Sequence, residues 1–307
     1  MSPSITIAIP VYNRQDLISD AIESILCQAS DDVELIIVDN NSTDKTYDVA
    51  RKYASDNIKV YQNTSNVGFT KNCMKCIEYA NGEWFRFLMS DDILLPGAID
   101  LMKNVILSNP DVDVLFSNGI TGAKRKNDYC HQGVEFISAD EYNTLQRHWK
   151  YYRFPAMPNA YAIRTRRMKK MISSDSFLKI CNELEFGHCV DYLMLTYNTL
   201  DSKKIAIINA PTYQIKVHDQ EESFYYRNNI MLHLSGDYYV VSQLYAPSFF
   251  EKFYFYKHAL KIYCQKSRTC FKQGIQTMIF MSMNFIKVMV LIILAHFGVI
   301  HEKVYKS

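Results

Sequence analysis

The sequence predicts an α/β fold: a mainly parallel sheet flanked by helices, with a helical C-terminal extension. Three observations predict it. Apolar runs of strand length alternate with segments of helical periodicity over the first 120 residues, the pattern of a sheet whose crossovers are helices. Each strand-like run ends in a polar cluster, where ligands bind in such sheets. And 307 residues, 48% apolar and 21% charged, suffice to bury one large α/β core beside a smaller C-terminal region.

In order along the chain, Ile5, Ile7 and Ile9 alternate with Thr6 and Ala8 and mark a first strand that Pro10 ends. Asn13 is the expected N-cap of the following helix, with Asp16 in its first turn, and Ile18, Ile22, Ile25 and Leu26 recur at helical spacing. Val33–Val38 reads as a second strand, reaching Asp39. The polar turn Asn40-Asn41-Ser42-Thr43-Asp44 opens a helix to about Tyr53. Ile58–Tyr61 is a third strand, Thr70–Ala80 a third helix stopped by Asn81-Gly82, and Trp84–Met89 a fourth strand that delivers Ser90-Asp91-Asp92. Pro96 starts a helix that ends near Pro110, and Val112–Ser117 is a further strand.

From 119 to 160 the pattern is irregular and aromatic, with Tyr129, Tyr142, Trp149, Tyr151, Tyr152 and Phe154. Helical periodicity resumes over Phe177–Leu184 and His188–Leu200, and Ile205–Ile208 and Tyr213–Val217 read as two strands. The chain is expected to divide into an α/β domain, 1–223, with the polar strand ends, and a helical region, 224–307. Within the latter, Met278–Ile300 is mostly apolar, interrupted by Asn284, Lys287 and His296, and flanked by Lys272, Lys303 and Lys306. That pattern fits a helix lying at a membrane surface; a buried core helix and a true span are the alternatives.

A formal net charge of +2, with no basic stripe, argues against a nucleic-acid partner. Residues 1–10 lack a basic n-region and read as strand rather than signal peptide, so this part is expected to fold in the cytoplasm. Eight cysteines fit that compartment as reduced thiols. Cys73 and Cys76 share a face of a predicted helix, and no second Cys/His pair at zinc spacing follows, so they are read as buried structural thiols.

Asp91 and Asp92, just past an apolar strand, offer hard oxygen ligands for a divalent cation; alternatively they form a solvated turn before the helix at Pro96. Asp191, among apolar helical residues, is the candidate general base, with Glu183 and Glu185 as rivals and a first-turn helix acid as the plainer reading. His218 could complete a metal shell or donate to a phosphate.

Taken in order, Ile9-Pro10-Val11-Tyr12-Asn13, then Val38-Asp39-Asn40-Asn41-Ser42-Thr43-Asp44-Lys45-Thr46, then Asn66-Val67-Gly68-Phe69-Thr70-Lys71-Asn72, then Ser90-Asp91-Asp92 resembles the family 2 glycosyltransferases, and among them bacterial enzymes that build O-antigen and other surface polysaccharides. The match is close over 5–120 and looser to 223. The resemblance implies a GT-A-type Rossmann-like sheet. It also implies an inverting hexosyl or deoxyhexosyl transfer from a nucleotide-diphosphate sugar, assisted by Mg or Mn. The acceptor it implies is a polyprenyl-linked saccharide at the cytoplasmic face of the inner membrane.

The resemblance also implies roles for single residues. Pro10 and Tyr12 would shape the nucleotide pocket, and Asp39 would hydrogen-bond the base. Asn66 and Gly68 would form a turn near that base, with Lys71 beside it or the phosphates. Asp91 would be the metal acid and Asp92 the acid that follows it in the donor site. Asp191 would be the catalytic base, His218 a metal or diphosphate ligand, and Lys216 an accompanying cation. Two positions depart from the family pattern: Met89 replaces the first acid of D-x-D, and Val190 replaces the Glu before Asp191. A catalytically silent binding subunit of the same fold, and a nucleotidyltransferase, are the alternatives. The latter usually carries a glycine-rich loop after the first strand, and Val11–Gln15 contains no glycine.

Overall fold

The computed structural model describes residues 4–121, 133–147, 157–183 and 190–216. The chain divides by its internal contacts after Glu222, and all described residues fall in the first unit. The helical region expected over 224–307, its membrane-facing segment and His218 lie outside the described residues.

The first half follows the expected alternation: β1 (Ile5–Val11), α1 (Ile18–Leu26), β2 (Val33–Asp39), α2 (Thr46–Arg51), β3 (Ile58–Gln62), α3 (Phe69–Tyr79) and β4 (Trp84–Phe87). β1 pairs parallel with β2 and with β4, and β2 parallel with β3. All seven residues of β1 are buried, as a strand covered by helices on both faces must be. Ile18, Ala21, Ile22 and Ile25 form the buried stripe of α1, packed in one core with Ile7, Ile9, Leu35 and Ile37.

After β4 come the two-residue β5 (Ile93–Leu94), α4 (Ala98–Ser108) and β6 (Val112–Thr121). Next are β7 (Val134–Ser138), α5 (Ala139–Arg147), a 3-10 turn at Pro158–Ala160, β8 (Tyr161–Arg164) and α6 (Thr165–Ile172). α7 (Asp175–Glu183), α8 (Val190–Thr199) and β9 (Lys204–Ile215) complete the unit. The order β3-β2-β1-β4-β8-β6-β9-β5, with β7 on β9, makes a nine-stranded sheet among the described residues.

Only its first half is purely parallel. β8 runs antiparallel between β4 and β6, and β5 and β7 pair antiparallel with β9, while β6 and β9 are parallel. The region expected to be irregular thus supplies a central strand, β8, which has four residues and is buried except at Arg164. A run that short, inserted between partners distant in sequence, carries too few residues to show a period. The two strands expected over 205–217 are a single strand. Pro211 sits opposite Asn118 at a register shift, the kind of irregularity where a residue without N–H is tolerated.

Candidate active site

The carboxyl ends of the first three strands are level. Val11 pairs with Asp39, and Asp39 with Gln62. Asp39 is fully buried. Its carboxylate accepts from the Ser42 backbone N at 3.0 Å, from Ser42 Oγ, and from Gln62 Nε2 at 3.1 Å. Ser42 Oγ also accepts from the Asn13 backbone N at 2.9 Å, and Asn13 Oδ1 accepts from the Thr43 backbone N at 2.9 Å. Asn13 is therefore not the N-cap expected of it. α1 begins at Ile18 with no side-chain cap. Asn13 adopts φ 51°, a left-handed conformation that asparagine tolerates, and its side chain ties the loop after β1 to the loop after β2.

A second layer is built from asparagines. Asn40 Oδ1 accepts from Asn63 Nδ2 at 3.0 Å and from the Val67 N–H at 2.9 Å, while Asn40 Nδ2 donates to Asn66 Oδ1 at 2.8 Å. Asn66 Oδ1 also accepts from the Gly68 N–H at 2.9 Å. Asn72, 2% exposed, accepts from Asn63 Nδ2 and donates to the Val38 carbonyl, both at 2.9 Å. Gly68 has φ 84°, open to glycine at low cost, and the Asn66 side chain closes a local turn on its N–H. Lys71 stands exposed in the first turn of α3. Pro10 is buried in β1 and Tyr12, 37% exposed, follows it directly.

Past β4 the two adjacent acids part ways. Asp91 keeps some solvent contact, and its Oδ2 lies 3.9 Å from Arg14 Nε. The Arg14 backbone N donates to Thr46 Oγ1 at 2.7 Å, so this cation belongs to the same loop cluster as Asp39. Asp92 is 5% exposed and turned inward. It accepts from Asn159 Nδ2 at 2.5 Å and from the Lys216 backbone N at 3.1 Å. Lys216 Nζ pairs with Asp20.

No group of three or more His, Cys, Asp or Glu side chains able to hold a metal occurs among the described residues. One partly exposed carboxylate such as Asp91 still fits magnesium or manganese chemistry, because these hard cations are commonly bound through one or two carboxylates, with substrate phosphates and water completing the shell.

Asp191 is the second residue of α8. Its Oδ1 accepts from the Tyr192 N–H at 2.9 Å, so the plainer reading, an acid in the first turn, describes its place. Its environment goes further. Burial pushes its carboxyl up to about 6, against backbone hydrogen bonds that lower it. The side chain keeps partial solvent contact at its surface, which moderates that rise. Its charge acts on the buried Cys73 thiol and the Tyr161 phenol, both of which burial drives upward first. The Tyr161 hydroxyl donates to the Asp191 carbonyl at 3.4 Å. Cys73 neighbours Asn72, and Tyr161 lies two residues from Asn159. Asp191 therefore lies close to α3 through Cys73 and to β8 through Tyr161. Of its rivals, Glu183 closes α7, and Glu185 lies outside the described residues.

Arg14, Asn159 and the Asn40–Asn63–Asn72 cluster were not singled out from the sequence. Asn72 carried a signal, being part of the third polar motif; Asn159 carried none, because its partners are about 70 residues away. Cys73 and Cys76 are buried as expected, with thiols pushed up by burial. A cavity of about 550 Å³ between α3 and α6, lined by Met74, Lys75, Glu78, Lys169, Ile172 and Ser173, shares no residue with these clusters.

The model of Glycosyl transferase family 2 matches residues 6–171, more than half of the chain. The chain belongs to glycosyltransferase family 2. This chain is 36% identical over 103 residues to the Campylobacter jejuni GalNAc(5)-diNAcBac-PP-undecaprenol beta-1,3-glucosyltransferase, a match covering 33% of each chain. It is 32% identical over 131 residues to an uncharacterized glycosyltransferase of Rickettsia prowazekii, covering 42% of this chain and 41% of that protein. It therefore spans well under half the length of these relatives. In fold it is similar to S. aureus TarS 1-349 in complex with UDP-GlcNAc, with TM-score 0.58, 19% identity, and 78% and 71% of the two chains covered. It is also similar to glucosyl-3-phosphoglycerate synthase from Mycobacterium tuberculosis in complex with Mn2+, UDP and glucosyl-3-phosphoglycerate. There the TM-score is 0.50 and the identity 16%, with 80% and 81% covered. The GT-A-type sheet expected from the four motifs is the sheet this chain has.

Proposed function

We propose that this glycosyltransferase inverts configuration, moving a sugar from a nucleotide-diphosphate donor to a hydroxyl of a polyprenyl-linked saccharide during bacterial surface-polysaccharide synthesis of the O-antigen type. The observation that carries the reading is Asp191. It is a carboxylate at a helix start whose protonation burial shifts to about 6, with the Tyr161 hydroxyl donating to its backbone carbonyl. A base poised there is ionised at neutral pH yet basic enough to accept a proton.

Tyr12 and the Asn66–Gly68 turn flank the base and ribose of the donor, and Lys71 meets the base or the phosphates. Asp39 reads the base edge when Gln62 or Ser42 yields a bond. Asp91, with His218, would hold a magnesium or manganese ion, which would neutralise the diphosphate. Asp191 takes the proton of the acceptor hydroxyl as that oxygen attacks the anomeric carbon. The carbon–oxygen bond to the diphosphate breaks on the opposite face, and the electron pair leaves with the nucleoside diphosphate. One displacement with one base inverts the anomeric centre. The lysine-flanked apolar run Met278–Ile300 supports an acceptor reached at the cytoplasmic membrane face; among the described residues no helix is long and apolar enough to cross a membrane.

A thermal-shift panel of UDP, dTDP, GDP and CDP with and without manganese tests this reading, since a ligand that binds the native state raises the melting temperature. One diphosphate is expected to give a shift enlarged by metal. No shift from any of them would overturn it.

A further inference from the structure

Asn159 is fully buried in the 3-10 turn that enters β8. Its side chain faces the loop after β4 with both ends at once. Oδ1 accepts from the Met89 N–H at 2.7 Å, and Nδ2 donates to Asp92 Oδ2 at 2.5 Å. The two anchored residues bracket Ser90 and Asp91. Within the same turn the Asp92 N–H donates to the Met89 carbonyl at 3.0 Å, and Lys216 N holds the other Asp92 oxygen. The turn is therefore pinned at both ends, and Asp91 is the acid left facing Arg14.

Asn159 is itself fixed from behind. Arg86 is fully buried on β4 and donates through Nη2 to the Asn159 carbonyl at 2.6 Å and to Thr212 Oγ1 at 2.9 Å. Thr212 and Ser117 hydroxyls lie 2.6 Å apart, which carries the network across β9 and β6. Burial pulls the guanidinium down to about 10, so it remains charged at neutral pH. Its hydrogen-bond acceptors among the described residues are neutral. Its Nε is buried with no hydrogen-bond partner among the described residues, so the Nη2 bonds to the Asn159 carbonyl and Thr212 are part of what compensates this buried charge.

We propose that Asn159 is the positioning residue of the donor site, setting the Met89–Asp92 turn so that Asp91 alone is presented to the donor diphosphate, with Asp92 kept as an internal anchor. This rests on the donor-site role proposed above for Asp91. The chemistry requires an amide. At neutral pH an amide offers an acceptor and a donor side by side without ionising, whereas an aspartate here would set a second carboxylate against Asp92.

The test has two arms on the full chain. In the first, Asn159→Asp and wild type are melted from about pH 4.5 to 8. Two carboxylates in hydrogen-bond contact cannot both ionise freely, so the shared proton is held to higher pH in the folded state than in the unfolded chain. The variant is expected to match wild type at the acid end and to lose several degrees relative to it as pH rises. Parallel profiles would overturn the Asn159–Asp92 contact.

In the second arm, manganese is titrated against Asn159→Ala with the nucleoside diphosphate that shifts wild type most. The expected result is an unchanged shift without metal and about a tenfold higher manganese requirement. An unchanged requirement would overturn the positioning role. A wild type with no manganese-dependent increment at all would instead refute the metal role of Asp91, and the first arm would still decide the Asn159–Asp92 contact.

Discussion

Arg14 Nε lies 3.9 Å from Asp91 Oδ2, so the loop after β1 supplies the cation that faces the acid beyond β4. The two residues are 77 positions apart and meet because β1 and β4 are parallel neighbours. A divalent cation would compete with Arg14 for this carboxylate, and the diphosphate it accompanies would be an acceptor for the guanidinium.

Asp91→Asn removes the charge but keeps the shape. Transfer is expected to fall about 100-fold or more, the scale for losing one preorganised electrostatic contact to developing charge. The metal-dependent part of the nucleotide-induced thermal shift should vanish with it. Steady-state turnover and melting curves on the same preparations check both effects.

Asp191 yields a pH prediction. With its carboxyl near 6, activity should rise with pH and level off above about 6.5, since the base works only when ionised. Asp191→Asn should lose 100- to 10,000-fold in rate, about the range for a positioned general base, with the nucleotide-induced shift intact.

The same residue predicts a stability effect of opposite sense. Its folded value is raised above the ordinary 3.8, so the contribution of Asp191 is most favourable below 3.8 and is lost as pH climbs through 6. Asp191→Asn should therefore be more stable than wild type at pH 7.5. The gain is at most about 3 kcal/mol, reduced by the solvent contact of the side chain, and should fade below about pH 4. Urea unfolding at the two pH values measures it.

Asn72→Ala deletes the partner of the Val38 carbonyl and of Asn63 Nδ2. Both groups are buried, and each unsatisfied polar atom costs about 1–3 kcal/mol. The variant is expected to unfold at markedly lower urea, and to bind the nucleoside diphosphate more weakly because the Asn66–Gly68 turn depends on the same cluster.

Two glycines separate packing from backbone freedom. A Cβ on Gly82 would stand 2.5 Å from the Thr6 backbone N, whereas Gly68, at φ 84°, has nothing within 4 Å. Gly82→Ala should cost about 1–3 kcal/mol or more by forcing β1 and β4 apart. Gly68→Ala should cost about 1–2 kcal/mol of backbone strain. Differential scanning calorimetry ranks them.

The parallel half of the fold was legible because each of its strands lies between helices. Apolar runs such as Leu35–Val38 and helical stripes such as Ile18-Ile22-Ile25 are written locally, and Asn81-Gly82 marks its boundary in two residues. β8 was not legible. Its partners Trp84–Arg86 and Val114–Phe116 are remote in the chain, and four residues show no period. Asn13 misled for a related reason: a short polar side chain ahead of a helix has the same local appearance whether it caps that helix or, as here, ties itself to Thr43.

What the sequence offered by itself is a set of candidate residues: Asp39, Asn66 and Asp91 in polar motifs after strand-like runs, and Asp191 in a helical stretch. What only the tertiary structure decided is how two adjacent, chemically identical acids divide their work. Asp92 is drawn inward by Asn159 and Lys216 while Asp91 is left toward Arg14. That distinction depends on hydrogen bonds between groups 67 and 124 residues apart, and contacts across such separations exist only once the sheet order has brought β4, β8 and β9 together.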